Sequence, residues 1–409
     1  MPQQKKGTMI RSRGPKGADA TPTAMDDGIE YKEKPKETKS SPIYSRRWFK
    51  VLAVLLVVVY VVIPLLFLYY PPIRRHSVFL NYVSLSRVGN LSEPAAYGLK
   101  CAHNLYLQSE ANVKLGTWNI QLPQDCQEGN RFDPAQPVVV YVHGNAGTRG
   151  GGHRVELYKL LTSDQVNLPV VAFDYRGFGD STNVPPSARG LVRDARAVYD
   201  WVKRNGGSQV IVWGHSLGTA VSVALVAELC KEGRCPMGLV LEAPFTKVSD
   251  AARYYPLTII HRYMPYFESV FVRSLESEET HLDSEALIAD VKSPVLILHA
   301  EDDAMVPVHL GRQLFATAQR KGCQVSMVEF PQYGHKGLYK DAQLPSVVKN
   351  FVIRDEDDTD KDELWIMVDM EWEAIPQKAI RMFIESVPIH GSQSEKINIE
   401  PNTGKVLIN

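Results

Sequence analysis

The sequence predicts an α/β fold, a mainly parallel eight-stranded sheet with helices on both faces. Three observations predict it. Short, wholly apolar runs such as Val138 to Val142 and Val170 to Phe173 recur between turn signals, as strands buried on both faces require. Amphipathic stretches with helical spacing alternate with these runs. A Gly-x-Ser-x-Gly pentapeptide joins one such strand to one such helix, the context in which that motif carries chemistry.

Residues 1–47 are polar, rich in Lys, Pro, Thr and Gly, without apolar periodicity. They cannot bury enough apolar surface to offset the entropy of ordering, so they read as a disordered, cytosolic N-terminus. Residues 48–73 read as a transmembrane signal-anchor helix. Val51 to Tyr70 carries no charge, and fifteen of its twenty residues are Val, Leu, Ile or Phe. Twenty helical residues span about 30 Å, the thickness of a hydrocarbon core. At roughly −0.4 kcal/mol for each of those residues, insertion is favoured by about 6 kcal/mol. A cleaved signal peptide would be shorter and nearer the start. Lys36, Lys39, Arg46, Arg47 and Lys50 precede the span, and Arg74, Arg75 and Arg87 follow it. The excess before the span predicts a cytosolic N-terminus and a lumenal domain, single-pass type II. Asn90-Leu91-Ser92 is the one Asn-x-Ser/Thr acceptor on the lumenal side, so Asn90 is expected to be glycosylated.

Residues 74–353 carry the catalytic domain. Leu105 to Gln108 and Val113 to Ile120 read as an antiparallel strand pair. Val138 to Val142, Val170 to Phe173, Val210 to Trp213, Leu239 to Leu241, Val295 to Leu298 and Val325 to Phe330 supply the other strands. Arg154 to Leu161, Ser187 to Arg204 and Leu217 to Cys230 read as helices. Residues 245–289 break the rhythm. They hold Tyr254, Tyr255, Tyr263, Tyr266, Phe267 and Phe271 with the acidic stretch Glu276 to Glu279, and read as a helical cap over the strand ends. Residues 354–409 form an acidic, flexible tail.

Composition excludes several classes. Forty-six basic residues balance forty-six acidic ones, so nothing suggests nucleic acid. The five cysteines form no Cys-x-x-Cys pair and no Cys/His spacing of a zinc site. No metal and no cofactor is expected. An odd count leaves one thiol without a partner in the chain. Cys101 with Cys126 is a candidate bridge for an extracytoplasmic domain.

The chemistry centres on Gly214-His215-Ser216-Leu217-Gly218. The glycines allow a tight strand-to-helix turn that lifts the Ser216 hydroxyl above the sheet edge and puts the Leu217 amide at a helix N-terminus. A serine nucleophile needs a base and an orienting acid, in the order Ser, acid, His. The acid belongs after a late strand, where Glu301, Asp302 and Asp303 stand; Asp303 is chosen for the Ala304-Met305-Val306-Pro307 that follows, with Asp302 second. The base belongs in the loop after the last strand, where His335 is the only histidine; His390 lies in the tail and is discounted. His299 and His309 read as packing or surface residues, and His215 as structural. The second oxyanion donor belongs in the loop after Val142, where Gly144 permits close approach and the Asn145 amide is placed to donate. That glycine-rich loop lacks the Gly-Lys-Ser/Thr of a nucleotide cradle. Arg149 and Arg176 flank the expected site as candidates for binding an anionic lipid headgroup.

Together, Tyr141-Val-His-Gly-Asn-Ala-Gly-Thr-Arg-Gly150, His153-Arg-Val-Glu-Leu-Tyr-Lys159, Phe173-Asp-Tyr-Arg-Gly-Phe-Gly-Asp-Ser181, Trp213-Gly-His-Ser-Leu-Gly-Thr219 and Leu298-His-Ala-Glu-Asp-Asp303 resemble the membrane-bound α/β-hydrolase-domain lipases. The resemblance covers roughly residues 45–352. It implies the α/β-hydrolase fold and a glycosylated lumenal domain in the endoplasmic reticulum membrane. It also implies a serine lipase that cleaves the fatty acyl ester of lysophosphatidylserine, with monoacylglycerol as a further substrate. The positions matching the family's triad are Ser216, Asp303 and His335. The last fifty-odd residues depart from the family's short ending, and the loop Phe330 to His335 is shorter than expected. A thioesterase or protein depalmitoylase is the competing enzyme class, since the same triad serves thioesters. A non-catalytic binding protein of this fold is disfavoured because Ser, Asp and His are all present.

Overall fold

A computed structural model describes residues 42–83, 89–126, 130–353, 397–399 and 406–408. The expectations for residues 1–41, for Arg87 and for the acidic run Asp355 to Glu363 lie outside these residues. The chain divides after Leu55 into two compact units.

The apolar run forms helix α1 (Pro42–Val57), a π turn (Val58–Val62) and α2 (Ile63–Tyr69). Together Arg46–Tyr69 is one helix of 24 residues, long and apolar enough to cross a membrane. Pro64 explains the π turn: it has no N–H for the carbonyl one turn earlier, so the ladder shifts there. A short helix α3 (Pro71–Phe79) follows, and the Arg74 guanidinium caps the end of α2 by donating to the Phe67 and Leu68 carbonyls.

The strands are β1 (Ala102–Glu110), β2 (Val113–Ile120), β3 (Val138–Val142), β4 (Val170–Phe173), β5 (Val210–His215), β6 (Gly238–Glu242), β7 (Val295–Ala300) and β8 (Val325–Phe330). They form one sheet in the order β1-β2-β4-β3-β5-β6-β7-β8. β1 pairs antiparallel with β2, and β2 with β4. The remaining pairs are parallel. A separate pair, β9 (Ile397–Ile399) with β10 (Val406–Ile408), is antiparallel and lies in the tail.

The helices after α3 are α4 (Gly152–Leu161), α5 (Ala188–Arg204), α6 (Leu217–Lys231), α7 (Val248–Ala252), α8 (Ser284–Leu287), α9 (Val308–Arg320) and α10 (Leu344–Val352). The apolar runs are unbroken because both sheet faces are covered. Val138, Val140 and Val142 share a core with Leu191 and Val198 of α5 and Val221 and Leu225 of α6. Val139 and Tyr141 face the other way, toward Val155 and Tyr158 of α4 and Val348 of α10. α5 begins where its sequence says: the Ser187 hydroxyl accepts from the Gly190 amide as an N-cap. Residues 245–289 form α7, α8 and short 3₁₀ and π turns, a helical insertion between β6 and β7. Cys101 bonds Cys126, as the sequence allows, and Cys230 bonds Cys235, a pair the spacing did not single out. Cys323 is the free thiol.

Candidate active site

Parallel strands end at one sheet edge, and three loops meet there. β5 turns into α6 at Ser216, whose φ of 53° and ψ of −120° belong to a region a serine occupies only under constraint. The constraint is visible on both sides. A Cβ on Gly218 would overlap the Val142 carbonyl oxygen, and one on Gly214 would stand 2.5 Å from the Gly218 carbonyl oxygen. The Ser216 amide donates to the Glu242 carbonyl at 2.9 Å, which ties the turn to β6. The hydroxyl is lifted to the edge but is only 7% exposed.

His335 lies in a 3₁₀ turn after β8, entered through Gly334 at φ 56°. Its Nε2 is 2.9 Å from the Ser216 Oγ, and its Nδ1 is 2.7 Å from the Asp303 Oδ2. The short loop from Phe330 therefore reaches. Asp303, after β7, accepts at Oδ1 from the Met305 and Val306 amides at 2.8 and 2.9 Å. Burial opposes its charge, yet the nearby His299 ring, the hydrogen bond and charge of His335 and the Val306 amide hold it well below the usual carboxylate range. Asp302 does something else: it accepts from the Tyr333 and Gly334 amides at 2.9 and 2.7 Å, fastening the loop that carries His335.

The Asn145 loop and Leu217 border the same space. Leu217 is the first residue of α6, so its amide has no acceptor within the helix. The Asn145 loop is held from below and behind. Arg154, 3% exposed, donates to the Thr148 and Ala146 carbonyls at 2.5 and 3.0 Å. The Ala146 amide donates to Phe79, at the end of α3, at 3.1 Å.

The expectation that Arg149 or Arg176 reads a headgroup is corrected by where they sit. Arg149 is 0% exposed. Its Nη1 donates to Asp174 and Asp180, each at 2.6 Å, and its Nη2 to Asn104 and the Leu91 carbonyl. Arg176 is held by Asp194 and by Glu110. Neither borders the cavity, because a buried guanidinium must find its counter-charges inside the protein. Asn90 is exposed, and its side chain engages Glu93 and Ser92.

Three further residues tie into the site: His215 and His299, read from the sequence as structural and packing residues, and Glu242, which sequence reasoning missed. His215, beside Ser216, sends Nε2 to the His335 carbonyl. Burial and the neighbouring His335 and His153 keep its pKa well below the ordinary histidine value, so it is a neutral donor. His299, fully buried, stands 3.6 Å from the Asp303 carboxylate and bonds the Val306 carbonyl at 2.8 Å. Glu242 is raised to about 7 by burial and by Asp303, and accepts from the Trp213 indole at 3.0 Å. The roles of His215 and Glu242 carry no local signal, since each depends on a partner brought by another strand, whereas His299 stands four residues from Asp303 in the chain.

Ser216 and His335 open onto a cavity of about 410 Å³ with mainly apolar walls. Tyr255 and Phe271 of the cap line it, as expected of the aromatic segment, while Tyr263 is 88% exposed. Ile63 and Phe67 of α2 and Ile73 of α3 complete the wall. Among the described residues, no group of three or more His, Cys, Asp or Glu is placed to hold a metal.

Comparison with known proteins agrees with this architecture. A model of the alpha/beta hydrolase family matches residues 139–344. Lysophosphatidylserine lipase ABHD12 of Danio rerio is 39% identical over 311 residues, 72% of this chain and 81% of that protein. The protein of the same name from Gallus gallus is 40% identical over 325 residues, 75% of this chain and 84% of that protein. A solved alpha-beta hydrolase from Vibrio vulnificus matches with a TM-score of 0.52 at 17% identity, over 66% of this chain and 89% of its own. That likeness speaks for the fold alone. Since the family match spans half of the chain and these relatives match most of it, the chain belongs to the alpha/beta hydrolase family.

Proposed function

We propose that the protein is a membrane-anchored serine lipase that hydrolyses the fatty acyl ester of lysophospholipids, lysophosphatidylserine first, and of monoacylglycerols. The observation that carries the reading is the chain Ser216 Oγ, His335 Nε2, His335 Nδ1, Asp303 Oδ2, with spacings of 2.9 and 2.7 Å, at the floor of an apolar cavity. His335 takes the Ser216 proton as Oγ attacks the ester carbonyl, and Asp303 steadies the imidazolium. The Asn145 and Leu217 amides hold the oxyanion, each worth about 3–4 kcal/mol. His335 then protonates the leaving alcohol, and water releases the fatty acid. The substrate class draws support from the named relatives and from cavity walls suited to an alkyl chain.

The anchor crosses the endoplasmic reticulum membrane once, with the N-terminus cytosolic and the catalytic domain lumenal. Support comes from the flanking charges, the exposed Asn90 acceptor and two disulfides, which form in oxidising compartments. Glycosidase treatment will increase the mobility of the full chain and will not affect Asn90→Gln; an unchanged wild type argues against the lumenal side.

Ser216→Ala in the full chain will abolish both fluorophosphonate labelling and release of fatty acid from lysophosphatidylserine. Labelling that survives the substitution refutes Ser216 as nucleophile. Wild-type protein that labels but turns over neither lysophosphatidylserine nor monoacylglycerol refutes the substrate class.

A further inference from the structure

Among the described residues outside the anchor helix, the densest run of exposed large apolar side chains is at the tip of the cap. Ile259 is 51% exposed, Ile260 55% and Tyr263 88%, in and just after the 3₁₀ turn Pro256–His261. His261, between them, is only 2% exposed. Its ring lies 5.6 Å from that of Tyr60 and 4.7 Å from that of Phe271. Phe271 in turn stands 4.8 Å from Phe67. The cap thus lies along the anchor helix from Tyr60 to Phe67.

That contact fixes a depth. Tyr60 precedes Tyr70, where the apolar run ends, by ten residues. At 1.5 Å per residue, this is about 15 Å along the axis, half of a hydrocarbon core about 30 Å thick. A helix that crosses the bilayer with its apolar run inside carries whatever touches Tyr60 into the leaflet with it. In water, Ile259, Ile260 and Tyr263 would form a solvated apolar patch continuous with the anchor; in the leaflet they are matched. Arg262 does not oppose this placement, because its guanidinium turns back to the Arg253 carbonyl and the Tyr254 ring. Ile260 also lines the cavity that holds Ser216 while being half exposed, so the cavity opens at the cap tip, beside Ile63 and Phe67 of the anchor.

We propose that the cap tip, residues 259–263, is a second membrane contact seated in the leaflet beside the anchor, where it opens the cavity sideways to the acyl chains of that leaflet. The occupant of this surface is lipid hydrocarbon. A single-chain lipid enters tail first without leaving the bilayer, and the anchor is one wall of its path as well as a tether. This rests on the membrane-anchored hydrolase reading above.

The test uses the full chain in phosphatidylcholine vesicles, with lysophosphatidylserine in the bilayer and p-nitrophenyl butyrate in the water as parallel substrates. Ile259→Asp combined with Tyr263→Asp, two positions that do not line the cavity, is expected to lower lysophosphatidylserine hydrolysis at least about tenfold while the soluble ester stays within about twofold. Both rates unchanged, or both reduced alike, overturns the proposal. A second measurement avoids the charge substitutions. Bimane on Tyr263→Cys, in a Cys323→Ser background, is expected to be quenched by lipids spin-labelled on the acyl chain and shielded from aqueous iodide. Quenching by iodide in preference to the lipid label overturns the proposal. A wild type inactive on both substrates would instead overturn the hydrolase reading, and the bimane result does not depend on it.

Discussion

The imidazole of His215 donates from Nε2 to the main-chain carbonyl of His335, 2.9 Å away. The residue before Ser216 thereby holds the loop that carries His335, and the two rings lie 5.0 Å apart. His215→Phe keeps the bulk and removes the donor. It is expected to lower kcat about 10- to 100-fold with little change in KM, because a small displacement of a catalytic group is costly. Steady-state kinetics on a soluble ester reads this, and an unchanged kcat would deny the contact any positioning role.

Two adjacent carboxylates differ in consequence. Asp303 bonds the His335 ring, whereas Asp302 bonds only amides of the loop. Asp303→Asn is expected to cost about 10³- to 10⁴-fold in kcat through loss of the correct tautomer. Asp302→Asn, which removes only some capping strength from an exposed loop, is expected to cost under about tenfold. Equal losses would reassign the acid.

Arg149 is a structural cation. Arg149→Ala strands Asp174 as an unpaired buried charge and is expected to destabilise the fold by about 3–5 kcal/mol. Denaturant unfolding measures this. In the fraction that folds, the preference between lysophosphatidylserine and lysophosphatidylcholine will be that of wild type. A changed preference without loss of stability would restore Arg149 to the headgroup.

Glu242 gives stability a pH dependence. Its carboxyl rises from 4.5 to about 7 in the folded chain, through burial and the nearby Asp303. A carboxyl that binds its proton more tightly when folded loses stability as pH rises between those two values. The full effect is about 3 kcal/mol above pH 7 and absent below about 4.5. Glu242→Gln lacks it. The stability advantage of the variant over wild type should therefore grow from pH 5 to pH 8 in thermal unfolding. A constant difference would show that Glu242 is already charged in the fold.

Much was legible before any coordinates, and for local reasons. A strand buried on both faces must be apolar throughout, so Val138 to Val142 and Val170 to Phe173 declare their own limits. The turn at Ser216 excludes side chains at 214 and 218, so its glycines mark it. Chain order narrows the candidate acid to one loop, and the loop after the last strand holds one histidine, His335, which the fold brings to Ser216 and Asp303. The helix long and apolar enough to cross a membrane follows from twenty residues without charge. The two arginines were misjudged because closeness in sequence to a site loop says nothing about which carboxylate another strand brings. Asp174 and Asp180 belong to the β4 loop, and nothing near Arg149 announces them.

What the sequence alone determined is thus the sheet strands, three of the helices and the candidate reactive groups, since steric and solvation rules act within a few residues; the helices Val308–Arg320 and Leu344–Val352 it did not single out. What only the tertiary structure decided is which of those groups meet. The bond from His215 to His335, the seat of Arg149 and the use of Ile63 and Phe67 as cavity wall each join segments far apart in the chain, and the energy of such contacts resides in packing that no local pattern encodes.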